Sequence, residues 1–212
     1  MITNPQRYPV LLHLIGGHPA LDLVNTLDGR FRSGRPTDHL IDYNNLLWFT
    51  EYSALLPNHV GNHIARTVKP RSAEYILRYT RNMREALAEM LYAALDRREP
   101  NDRAVASLTR FLRDSRSEPV VWMPTNRKAS RTHWAWHRGM TNGAELPLSV
   151  LGGSILNLFH SAKLASLKAC KNPECRKLFI PTNRNRMRKW CDMSRCGSEA
   201  KRKAFKAKQV DY

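Results

Sequence analysis

Residues 170–208 read CKNPECRKLFIPTNRNRMRKWCDMSRCGSEAKRKAFKAK, and all four cysteines of the 212-residue chain fall inside this run. They stand as two C-x-x-x-x-C pairs, Cys170 with Cys175 and Cys191 with Cys196, separated by fifteen residues. Thiols gathered this way are a ligand set for one tetrahedral ion. Zinc is the default, because thiolates are soft ligands and zinc takes four of them without geometric demand. The competing reading, two disulfides, needs an oxidising compartment. Nothing in the sequence supports one. The apolar run Val10 to Ile15 is interrupted by His13 and preceded by a single basic residue, Arg7, and it is too short for a signal core or a membrane span. The expectation is one structural Zn2+ in a soluble, cytoplasmic protein with no membrane partner.

The same window is the most basic part of the chain. Of 35 Lys and Arg against 18 Asp and Glu, residues 168–212 hold 14 against 4. Bound zinc leaves its four thiolates with a net charge of about −2, so the segment stays strongly cationic. A patch of this kind attracts a polyanion. The hydrophobic content of 42% is enough for an ordinary core and excludes a disordered basic protein.

Within the window, Asn172 and Pro173 supply the turn that brings Cys170 and Cys175 to one side. Lys177–Ile180 and Met187–Trp190 read as a hairpin around Pro181, Thr182, Asn183 and Asn185, with Phe179 and Trp190 placed to cover the metal. A helical run from Glu199 to Gln209 follows the last ligand, and Phe205 with Ala200 and Ala204 is expected to anchor it. Knuckle, hairpin and ligand-bearing helix make the layout of a treble-clef finger. So small a unit depends on its metal for stability.

Upstream, the chain reads as α+β. Ala20–Asn25, after Gly16-Gly17 and Pro19, alternates imperfectly and predicts a short buried strand. Asp42 is placed to cap a helix carrying Leu46, Leu47, Phe49 and Leu55. From Pro70, with Ser72 as a cap, apolar residues from Tyr75 to Leu95 recur at three- and four-residue steps, predicting a helix of roughly 25 residues. Asn101 or Asp102 caps an antiparallel partner through Leu112. Val120–Met123 and Thr132–His137 predict a β-hairpin, and a further helix follows Pro147. The boundary near residue 165 has no linker, so residues 1–164 and 165–212 are expected to pack together.

The C-terminal run resembles the CGNR zinc finger, a module that ends bacterial proteins described as stress-induced transcription regulators. GGHPALDLVNT, residues 16–26, resembles the opening of the ABATE domain that precedes that finger, so the resemblance spans nearly the whole chain. It implies a helix-rich N-terminal domain with a small antiparallel sheet, a treble clef, and a regulator of transcription. One departure stands out: Cys196-Gly197-Ser198-Glu199 replaces the Cys-Gly-Asn-Arg of the name. Ser198 keeps the capping chemistry of Asn. Glu199 removes a cation, although an acid suits a helix N-terminus.

Candidate phosphate contacts are Arg184, Arg186, Arg188 and Lys189 on the hairpin, with Lys201, Arg202, Lys203 and Lys206 on the helix. The expected partner is nucleic acid, DNA ahead of RNA; the alternatives are an RNA-binding protein or a zinc-stabilised adaptor meeting an acidic protein. His18, Asp22 and Asn25 form a candidate effector site. The competing and favoured reading is that Asp22 and Asn25 hydrogen-bond backbone. His59 and His63 lack the glutamate of a zinc-hydrolase helix, and His133 and His137 are far apart along a strand. With no phosphate loop, no nucleophile elbow and no spare cysteine, the chain is not expected to be an enzyme.

Overall fold

A computed structural model describes residues 13–57, 60–115, 120–122, 133–135, 143–182 and 187–210. The run expected as the first strand is instead helix α1, Pro19–Asn25. Pro19 sits in its first turn, where a missing N–H costs nothing. His18 Nδ1 accepts from the Ala20 N–H at 3.2 Å and caps it. All six residues from Ala20 to Asn25 are buried. With no exposed face there is no alternation to separate helix from strand, which is why periodicity misassigned it.

Two-residue strands β1 (Leu27–Asp28) and β2 (Thr37–Asp38) pair antiparallel. Helix α2, Tyr43–Tyr52, begins with a full capping box in which Asp42 and Asn45 bond each other's backbone. Helix α3 is Val60–Thr67. Helix α4 is Pro70–Leu95, 26 residues; its cap position is Lys69, without a side-chain bond, rather than Ser72. Pro70 suits the first helical position, since the N–H it lacks would have no partner there.

Asn101 caps α5, Asp102–Asp114, by accepting from the Ala104 N–H at 2.8 Å. The expected antiparallel packing of α4 and α5 is seen in Tyr79, near the start of α4, which donates to Asp114 at the end of α5 at 2.8 Å. Strands β3 (Val120–Trp122) and β4 (His133–Ala135) form the expected hairpin pairing, with Val121 opposite Trp134. Helix α6, Leu146–His160, completes the body.

The core joins Leu21, Leu23 and Val24 of α1 to Leu46 and Phe49 of α2, Leu87 and Leu91 of α4, Phe111 of α5 and Leu151, Ile155 and Leu158 of α6. Leu178 and Ile180 of the cysteine-rich segment belong to the same core. Arg84 lies in it at 3% exposure and forks onto both carboxylate oxygens of Asp38, at 2.7 and 2.8 Å, and onto Thr26. Burial alone would raise the Asp38 pKa, but the bonds and charge of Arg84 outweigh it and hold the carboxyl below its usual range.

Candidate metal centre and nucleic-acid interface

The C-terminal segment starts with β5 (Lys168–Ala169), which pairs antiparallel with β6 (Leu178–Phe179). The hairpin therefore encloses the first knuckle, with the Cys170 N–H donating to Lys177 O at 2.9 Å. This corrects the expected hairpin of 177–180 with 187–190. Among the described residues 187–190 form no strand, and their tie to the knuckle is the Lys171 N–H to Lys189 O bond at 3.0 Å. Asn172 makes the knuckle turn as expected, accepting from the Cys175 N–H at its carbonyl and from the Glu174 N–H at its side chain.

Cys191 precedes a π-type turn, Met193–Gly197, that delivers Cys196 to the start of α7, Ser198–Val210. The cap of this turn is Asp192, whose carboxylate accepts from the N–H groups of Ser194 and Arg195; Ser198 instead donates its hydroxyl to Met193 O. Gly197 packs tightly there, since a Cβ would stand 2.8 Å from Met193 Sδ.

The four cysteines are buried and their sulfurs all lie within 4.8 Å of one another. Cys175 and Cys191 sulfurs are 3.5 Å apart, and those of Cys191 and Cys196 3.6 Å. A disulfide needs about 2.05 Å, whereas four sulfurs at about 2.3 Å from one tetrahedral zinc stand about 3.8 Å apart. The set fits the ion and not the crosslinks. The electrostatics agree. Thiol bonds from Cys175 and Cys191 pull the Cys170 pKa down, and a thiolate at Cys170 pushes those of Cys175 and Cys191 up. Cys170, Cys175 and Cys191 thus oppose one another's ionisation, an opposition that a cation among them relieves. Phe179, fully buried, and Trp190 cover the site, joined by Ile15 from the other end of the chain.

Asp22 and Asn25 meet the finger from below. The Asn25 amide donates to Leu178 O at 2.8 Å while its carbonyl accepts from the Leu178 N–H at 2.9 Å. Asp22 accepts from the Gly16 N–H at 2.7 Å, and Gly16 O in turn accepts from the Ile180 N–H at 2.8 Å. Gly17 has φ of +71° and leaves no room for a side chain, because a Cβ would sit 2.9 Å from Ile180 O. The GG…LD.VN motif is thus the seat of strand β6. Burial pushes the Asp22 carboxyl up to about 6 despite these backbone bonds. His18, besides capping α1, contacts Asn157 through Nε2 at 3.1 Å. Further ties are Lys177 to Asp28 at 3.0 Å, Tyr92 to Arg176 O at 2.9 Å, and the Arg176 guanidinium against the rings of Phe31 and Tyr92.

Of the candidate phosphate contacts, Lys189, Lys201, Arg202 and Lys203 are exposed. Arg184 and Arg186 lie outside the described residues, as does the side chain of Lys206. Arg188 turns inward: it stacks over Phe179 at 4.5 Å and donates to the carbonyls of Trp190 and Cys191. Phe205 does not anchor α7 but is 63% exposed. Arg195, which the sequence reading passed over, is exposed on the π-type turn. Glu199 accepts from the Asn172 amide at 3.1 Å and pairs with Lys203 at 3.0 Å, so the acid that stands in place of the motif's arginine braces the knuckle. His59 and His137 lie outside the described residues.

Residues 17–161 match the ABATE family, whose description is "Putative stress-induced transcription regulator", and residues 166–209 match the CGNR zinc finger. No curated protein matches the chain. Among the described residues no helix is long and apolar enough to cross a membrane. The cysteine quartet, its seat on the GG…LD.VN motif and these two matches together place the chain in the ABATE family, with a zinc-binding CGNR finger at its C-terminal end.

Proposed function

We propose that the finger binds DNA and that the protein regulates transcription through that contact. The supporting observation is the surface of the zinc-ordered segment, where Lys189, Arg195, Lys201, Arg202 and Lys203 are all exposed beside Met187, Met193 and Phe205. Cations supply phosphate contacts, and exposed apolar side chains of this type insert between base steps. Arg188 drops out of the contact set, since its guanidinium is spent on the finger itself. The metal is structural: four sulfurs fill the coordination sphere and leave no position for a substrate, so no catalytic role is assigned. Sulfurs held on zinc rather than in disulfides are in keeping with a reducing compartment such as the cytoplasm.

The test is anisotropy of labelled duplex DNA against zinc-loaded full-length protein across a salt series. Log affinity should fall by about 0.9 per log unit of salt for each phosphate neutralised. Lys201→Gln and Lys189→Gln should each lower that slope by about 1. A salt-independent complex, or no complex at low salt, refutes the reading, and a preference for duplex RNA or for an acidic protein moves the finger to another class of partner.

A further inference from the structure

A cleft of about 370 Å³ opens between the finger and the body; Cys175, Cys191 and Cys196 also line it, so the metal site takes up part of that space. Arg32 reaches it from the loop between β1 and β2, Arg195 from the π-type turn and Arg202 from α7, with Lys177 at the back. The acids that share it are already engaged. Asp28 pairs with Lys177 at 3.0 Å, Glu199 pairs with Lys203 at 3.0 Å, and Asp192 accepts from the turn it caps. Among the described residues no carboxylate forms an ion pair with Arg32, Arg195 or Arg202. All three arginines line this one cleft.

We propose that this cleft is a binding site for a small phosphate-bearing molecule held jointly by Arg32 of the body and Arg195 and Arg202 of the finger. Guanidinium forks match phosphate oxygens bidentately. The volume is that of a small-ligand pocket, and a duplex could lay its phosphates only across the rim. A ligand gripped from both walls stabilises the docked arrangement of finger and body over any separated one, by mass action. Arg195 and Arg202 are shared with the proposed DNA surface, whereas Lys201 and Lys189 lie outside the cleft.

The experiment is calorimetric titration of zinc-loaded full-length protein with inorganic phosphate and with ribose 5-phosphate, sodium chloride serving as the ionic-strength control, with zinc content measured throughout. One site per chain is expected. Arg32→Gln and Arg195→Gln should each weaken it about tenfold or more, the usual worth of a charge-assisted bond. Lys201→Gln should leave it within about twofold while reducing the salt slope for DNA, so the two readings fail separately. Should Arg32→Gln disturb folding, Arg32→Lys keeps the charge and is expected to bind with intermediate affinity. Heat no greater than with chloride, or arginine variants that alter zinc retention but leave phosphate affinity unchanged, would overturn the proposal and reduce these cations to counter-charges for the thiolates.

Discussion

The carboxamide of Asn25 stands where the peptide group of a neighbouring strand would stand, giving and receiving one bond with Leu178. Asn25→Ala should cost about 3 kcal/mol in urea unfolding, because both Leu178 groups would be left buried and unpaired. Asn25→Asp is expected to do worse, since it sets a carboxylate oxygen against Leu178 O. Asp22 carries a sign that can be checked. Its folded pKa, about 6, lies above the ordinary aspartate value of 3.8, so between those limits the folded protein holds more protons and stability falls as pH rises. Above pH 6 the ionised carboxylate therefore costs on the order of 2–3 kcal/mol. Asp22→Asn keeps an acceptor for Gly16, so it should be the more stable protein at pH 7.5 and should lose that advantage near pH 4. An unchanged difference between variant and wild type across that window would count against the burial of this charge.

The elements differ in how far they could be read in advance. Helices α4 and α5 have one buried and one exposed face, so their period survives in the sequence. Helix α1 is buried all round, and its six core positions carry no period at all. The metal ligands were legible because thiol chemistry is declared by residue type and spacing. The finger's hairpin was not, because β5 lies before the first cysteine and is two residues long. The role of Asn25 was only half legible: a bond to backbone was foreseen, but its partner stands 153 residues away. Arg84 is the element tie with most at stake, joining α4 to β2 through a buried fork. Arg84→Met leaves Asp38 only the longer pair with Arg81 at 3.4 Å and should cost about 2–3 kcal/mol, measured by urea unfolding. Glu199→Arg restores the arginine of the family motif; it should strengthen DNA binding through added charge while speeding zinc release, since Asn172 loses its acceptor. Slower zinc release in that variant would contradict the bracing role.

Finger and body share one core, since Leu178 and Ile180 pack with α1 and the same stretch of chain carries the β6 backbone bonds. Metal and body are consequently expected to unfold together. In calorimetry, zinc-loaded protein should show one cooperative transition, and chelation should lower its midpoint as a whole rather than remove a small separate step. This coupling is also the route by which an event in the body, or in the cleft it shares with the finger, would reach the cationic surface. All of it depends on the four sulfurs holding a single ion. The most direct measurement is zinc-edge X-ray absorption with elemental analysis on reduced, full-length protein. The expected result is one zinc per chain with four sulfur neighbours at about 2.3 Å. Protein without zinc, a shell containing nitrogen or oxygen ligands, or cysteines recovered as disulfides would contradict it.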